Sequence, residues 1–334
     1  MKRLLVLIFV VVSLTGCRQT PVIPTNAPIA AITKPQNSLS TEQLKSLRVN
    51  EAGVVPILEY HAIGNGRTTM DRSPEKFRAD LERLYQEGYR PCLLAEYLDN
   101  KIGVPSGTCP VIFTFDDSRE SQLRLLPDGS VDPECAVGIL QAFAKLHADF
   151  PVKATFYVLP QSPFGPAAQG AQKFKMIRDL GCEIGNHTIS HPRLRSLSDE
   201  KVQAEIGGAE KLITALAPGV KVDTLALPFG IRPRNRPLAS AGSFEGMPYH
   251  YRAVLLVGAN PALAPVSKKC DYLRLPRIQA CEGDAGITYW LDSLKSHPER
   301  RYVSDGDPNS TVVPAADRIK LDEARLNGSK ILEY

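Results

Sequence analysis

Two periods of apolar spacing alternate along this chain of 334 residues. Short β-branched and aromatic runs, at residues 54–60, 111–115, 153–159 and 224–227 and around Ile184, read as buried strands. Residues 254–258 and 272–275 carry the same signal later in the chain. Between the runs lie amphipathic stretches. Ser73-Pro74-Glu75 offers a capping residue and a Pro in the first turn, Phe77, Leu81, Leu84 and Tyr85 follow near a 3.6 period, and Gly88 stops the helix. Residues 136–147, 174–180 and 199–216 predict further helices. Regular strand–helix alternation predicts parallel βα units, an α/β class, and a single barrel for the body of the chain.

The beginning of the chain departs from this pattern. Lys2 and Arg3 precede an apolar run, residues 4–14, that is short for a bilayer span and suits an export signal. Leu14-Thr15-Gly16-Cys17 resembles the lipobox of bacterial lipoproteins, which implies cleavage before Cys17, acylation of its thiol and membrane anchoring; the alternative is an ordinary signal peptide with a chance Cys. Residues 17–50 are rich in Pro, Thr, Ser, Asn and Ala without a clean period, and read as a flexible lipid-anchored linker. The expected division is therefore a signal peptide over 1–16, the linker over 17–50, a catalytic domain over 51–297 and a C-terminal extension over 298–334, where apolar content is too low for a second domain. The protein is expected to face the periplasm or the cell exterior.

The net charge of +4 is mild, and the basic residues are spread along the sequence. No nucleic-acid partner is expected, and no obligate protein partner is called for. Of the seven cysteines, six follow Cys17. An even number in an exported chain permits disulfides, and Cys92–Cys109 and Cys270–Cys281 are the local pairings to expect first. Without a CxxC pair, a thiolate zinc site is not expected.

Chemistry enters at the end of the 111–115 strand, where Asp116 and Asp117 stand side by side. The bland account is an acidic turn; the other follows from the cost of burying charge without a partner or metal, and from the placement of chemistry at strand carboxyl ends. His187-Thr188-Ile189-Ser190-His191 adds two imidazoles. Pro192 disfavours a helix there, so a tight loop is expected, and Thr188 stands where a zincin would carry Glu. Alone, an HxxxH is more often surface or capping histidine. Together, two imidazoles and one carboxylate make a three-ligand site with open positions, and the second carboxylate is left as a proton acceptor.

Thr114-Phe115-Asp116-Asp117, Ala154-Thr155-Phe156-Tyr157-Val158 and Glu183-Ile184-Gly185-Asn186-His187-Thr188 through His191 resemble the NodB-type polysaccharide deacetylases, carbohydrate esterases of family four, over residues 54–278. The resemblance implies a distorted (β/α) barrel and metal-dependent removal of acetyl groups, N-acetyl on an amino-sugar polymer. By motif, Asp117, His187 and His191 would bind Zn2+, or Co2+, Ni2+ or Mn2+, and Asp116 would be the base. Pro228-Phe229-Gly230 matches a further motif, which assigns the Phe229 amide to the oxyanion. The Arg usual two residues before that Pro is replaced by Ala226, and Arg277 is the candidate substitute. No general-acid His lies near Leu275; His61, after Pro56-Ile57-Leu58-Glu59-Tyr60, resembles the leading His of the poly-β-1,6-N-acetylglucosamine deacetylase subgroup, with His250 as competitor. His147 and His297 read as surface residues. Ser118 replaces a usual Gly, and residues 118–152 either overhang the cleft or form a solvent-exposed loop. An O-acetyl xylan-type esterase and a catalytically silent glycan-binding lipoprotein are the alternatives.

Overall fold

The computed structural model describes residues 39–64 and 68–334. In chain order the elements are α1 (Thr41–Leu47), β1 (Ile57–Tyr60), α2 (Pro74–Gln86), β2 (Tyr89–Pro91), α3 (Leu94–Leu98), β3 (Cys109–Phe115), α4 (Ala136–Leu146), β4 (Thr155–Val158), α5 (Gly170–Asp179), β5 (Glu183–Asn186) and α6 (Asp199–Leu216). They continue with β6 (Thr224–Ala226), β7 (Ala241–Phe244), β8 (Met247–His250), β9 (Ala253–Leu255), β10 (Ile278–Gln279), α7 (Ile287–Ser296), β11 (Ser310–Val313) and β12 (Lys330–Glu333). Helix starts follow the capping logic: the Ser73 hydroxyl accepts from the Lys76 amide at 3.2 Å, and Ser198 does the same for Lys201 at 3.4 Å.

An eight-stranded sheet runs β10-β1-β3-β4-β5-β6-β9, with β2 also paired to β3. Its strands are parallel throughout, and the sheet curls into the half-barrel expected of a NodB-type (β/α) fold. Strand periodicity sorts the side chains. Val111, Phe113 and Phe115 of β3 join the core beneath α2, α4, α5 and α6, as do Leu58 and Tyr60 of β1. Ile57, Ile112, Tyr157 and Ala226 face the opposite side, the inside of the curl. The same alternation puts Glu59, Thr114 and then Asp116 inside.

Four expectations are corrected. Residues 272–275 are not a strand: Tyr272–Arg274 form a single 3-10 turn, because the Asp271 side chain accepts from the Leu273 amide and competes with ladder pairing. Only Leu275 bridges, to Leu255, and the strand that closes on β1 is β10. Residues 39–50 are not a flexible linker. A capping box between Ser40 and Gln43 starts α1, Leu44 and Val49 pack on Val312, and the Tyr334 hydroxyl donates to the Val49 carbonyl at 2.5 Å. Residues 17–38, Cys17 and the signal peptide lie outside the described residues. Disulfides are absent from all six described cysteines. Cys92 and Cys109 sit in cores on opposite faces of the sheet, which keeps their thiols apart. Finally, residues 118–152 mostly fold beside the sheet, with Leu125 bridging Val131 across the turn, and only Arg119 of that stretch lines the cleft. Among the described residues no helix is long and apolar enough to cross a membrane.

Candidate active site

The carboxyl ends of β1, β3, β5 and β6 open into a cleft of about 690 Å³ lined by Glu59, His61, Asp116, Asp117, His187 and His191, with Phe229 at its edge. Chain direction reverses sharply after β3: Asp117 has φ 74° and Ser118 φ 45°, in the left-handed region. Ser118 holds this turn with a hydroxyl that donates toward the Leu159 and Ser162 carbonyls and accepts from the Leu159 amide at 3.1 Å. That bonding offsets the cost of a side chain in this left-handed turn.

Beyond β5, the loop carrying the histidines is fixed by Asn186. Its side-chain oxygen accepts from the Thr188 amide at 2.7 Å, and its amide donates to the Ile206 carbonyl and Tyr251 hydroxyl. Thr188 and His191 both take left-handed φ, 70° and 56°, so the two imidazoles converge without a helix. Their ring centroids are 4.9 Å apart.

The His187 Nδ1 faces the Ala226 carbonyl at 2.8 Å. A carbonyl can only accept, so Nδ1 donates to it and Nε2 is the nitrogen left facing the cleft. That Nε2 is buried without a hydrogen-bond partner. It lies 3.5 Å from Asp117 Oδ1, and His191 Nε2 lies 3.6 Å from the same oxygen. One carboxylate and two imidazoles aimed at a common point form a donor set of the kind a divalent ion takes. The residues present therefore fit a metal. Burial would raise the Asp117 carboxyl, but the neighbouring His187 outweighs it and holds the group well below the usual carboxylate range.

Asp116, 1% exposed, lies beside this set inside the curl, with its Oδ2 3.8 Å from His187 Nε2. Arg277, fully buried, grips it with Nη1 to Oδ1 at 2.7 Å and Nη2 to Oδ2 at 2.7 Å. The guanidinium is itself fixed by Nε donating to the Leu256 carbonyl at 2.9 Å and Nη1 to Thr114 Oγ1 at 3.1 Å. Chain approach here is close: a Cβ on Gly258 would lie 2.1 Å from the Arg277 carbonyl oxygen, so only Gly fits. Burial alone would raise Asp116; Arg277, then His187, more than offset it and hold the carboxylate below its ordinary range.

Two residues here escaped the sequence analysis. Glu59, 1% exposed, has both carboxylate oxygens without a hydrogen bond, 3.3 Å from Arg277 Nη2 and 3.7 Å from His61 Nε2. Burial pushes its carboxyl up to about 7, against the pull of Arg277. The missed signal was period two, since Glu59 and His61 share a strand face. Gln122 is the other: its amide donates to the Asp116 carbonyl at 2.5 Å and the His61 carbonyl at 2.9 Å, tying the ends of β3 and β1 together. No sequence pattern marks it.

The structure brings Asp116, Asp117, His187, His191, His61 and Arg277 into one place, with Phe229 beside them in a left-handed conformation (φ 58°), its ring 4.6 Å from that of His191. His250 lies exposed on β8, away from the cleft lining. His297 is exposed, and His147 packs on Tyr85 with ring centroids 4.0 Å apart.

Residues 104–244 match the family profile described as polysaccharide deacetylase. The match contains Asp116, Asp117, His187, His191 and Phe229 and leaves out Glu59, His61 and Arg277, so it is narrower than the expected span of 54–278. The fold is similar to that of BC0361, a polysaccharide deacetylase from Bacillus cereus, at 20% identity over 72% of this chain and 69% of that one, with a TM-score of 0.55. It is also similar to the deacetylase PplD of Streptococcus pyogenes in complex with acetate, at 20% identity, 72% and 97% coverage, and a TM-score of 0.54. Residues 104–244 thus match the polysaccharide deacetylase family, and the chain shares the fold of these two solved deacetylases.

Proposed function

We propose that this protein is a metal-dependent hydrolase that removes N-acetyl groups from an amino-sugar polymer outside the cytoplasm. One observation carries the proposal: an Arg-clamped carboxylate, Asp116, beside a separate cluster of Asp117, His187 and His191 whose buried imidazole nitrogen has no partner in the protein. Asp117, His187 and His191 would hold a divalent ion, Zn2+ by preference, which supplies a Lewis acid for the acetyl carbonyl and an acidified water. Asp116, kept ionised by Arg277, takes a proton from the attacking water. The Phe229 amide stabilises the oxyanion as it forms. His61 protonates the departing amine, with Glu59 behind it as a proton store. Acetate and a free amino sugar result.

The front position of His61 supports kinship with the poly-β-1,6-N-acetylglucosamine subgroup. An O-acetyl esterase would use the same machinery on an easier bond. Acetate release from chitooligosaccharides and from acetylxylan separates the two, with Asp116→Asn and His187→Ala as inactive controls. Release from acetylxylan alone would overturn the N-acetyl reading, and a metal-loaded protein that releases acetate from no polymer would favour the silent glycan-binding alternative. The arginine whose absence from its usual position favoured that alternative has a counterpart in Arg277.

We also propose a lipid anchor on Cys17. Membrane fractionation should lose the protein on Cys17→Ala; an unchanged distribution would leave an ordinary signal peptide.

A further inference from the structure

Basic residues dispersed in sequence meet in space beside the cleft. Arg195, Arg232, Arg234, Arg236 and Arg274 line a second concavity of about 490 Å³, and no carboxylate lines it with them. Among the described residues none of the five forms an ion pair. Arg232 donates to the Leu273 carbonyl, and burial followed by the nearby charge of Arg274 lowers its guanidinium from the ordinary value. Two acids lie nearby: Asp199 accepts from the Asn235 amide at 2.7 Å, and Asp271, which caps Leu273 at 3.0 Å, offsets part of the repulsion felt by Arg232.

Five like charges gathered without an ion pair among the described residues repel, and the arrangement is stable only at a cost that a bound anion would relieve. The concavity adjoins the cleft. Gly230 and Leu256 line it while their chain neighbours Phe229 and Val257 line the cleft. Across that rim, the Arg193 guanidinium lies 4.6 Å over the Phe229 ring, which packs on His191.

We infer that this arginine-lined concavity is a subsite for an anionic group, carboxylate or phosphate, carried by the acetylated polymer a few sugars from the reacting acetyl. The inference rests on the proposed glycan substrate and narrows it: a poly-N-acetylglucosamine lacks such groups, so the substrate departs from that subgroup in charge. Arginine suits the task, because its planar fork pairs with both anions in two-point fashion. A position along the substrate groove, inside a concavity, favours a polymer over a flat lipid surface.

The test is direct binding to the full-length mature protein, followed by calorimetry. Hyaluronan oligosaccharides supply N-acetyl groups with carboxylates, a poly(glycerol phosphate) supplies phosphates, and chitooligosaccharides supply N-acetyl groups without charge. One or both anionic polymers should bind more tightly than chitooligosaccharides, less so at high salt, and the stronger arm identifies the anion. Arg234→Gln with Arg236→Gln should weaken that binding about tenfold, as two exposed charge pairs would, with an unchanged Tm. Where acetate is released, the ratio of kcat/KM for anionic over neutral substrate should fall likewise. Equal binding of charged and neutral glycans, an insensitive double variant, or retention on phosphatidylglycerol vesicles alone would overturn the inference. Anion binding without acetate release from any glycan supports the subsite and overturns the proposed function; acetate release with no anion preference does the reverse.

Discussion

Arg277 and Asp116 meet through two parallel hydrogen bonds of 2.7 Å, both side chains shut away from solvent. The pair fixes the carboxylate plane and its charge together. Arg277→Lys keeps a cation but loses the fork, and should cut kcat by about a hundredfold, on the scale of a misplaced catalytic group. Metal content, measured by atomic emission, should stay near that of the parent. An equal loss of metal and turnover would place Arg277 in support of the ion instead.

His61 and His187 line the same cleft and should fail differently. His61→Gln removes the proposed proton donor, so kcat should fall by about 10²–10⁴ with metal retained. His187→Gln should lose the metal itself, and with it the stabilisation by bound ion seen in Tm. Loss of metal in both variants would make His61 a ligand.

The Glu59 carboxyl, pushed from 4.5 up to about 7 by burial, keeps a proton in the folded protein that the unfolded chain releases. Its contribution to stability is therefore full below its unfolded pKa and is lost as pH rises through the folded one. Urea midpoints of metal-stripped protein at about pH 5 and about pH 8 should differ less in Glu59→Gln than in the parent. Equal differences would mean that Glu59 is ionised throughout.

Removing residues up to 50 should destabilise the domain rather than merely shorten a tether. Leu44 and Val49 lose their packing on Val312, at roughly 1.5–3 kcal/mol per buried apolar side chain. A Tm unchanged by the truncation would restore the linker reading.

The strands and helices most legible in the sequence were those with an unbroken period: residues 199–216 were predicted as a helix and form α6 with those limits. The paired carboxylates and the two imidazoles were legible too, because strand-end placement and short spacing are local. What escaped was non-local or masked by local composition. The N-terminal helix begins in Ser- and Asn-rich sequence that looks like linker, and its burial is supplied from Val312, far along the chain. Glu59 looked like one polar residue inside an apolar run, though its strand period set it beside His61. The arginine concavity was present as Ile231-Arg232-Pro233-Arg234-Asn235-Arg236, yet its meaning depended on Arg195 and Arg274 arriving from other loops.

The order of the strands divides the site along the chain. The donor set at Asp117, His187 and His191 is encoded by β3, β5 and the turns that follow them, while Arg277 comes from the last edge of the sheet, 161 residues after its partner. The expected ligands of the ion and the clamp on Asp116 are thus written in separate stretches of the sequence. A chain cut short before Arg277 and β10, the edge strand of the main sheet, would keep every one of those ligands and lose the arginine that orients the carboxylate.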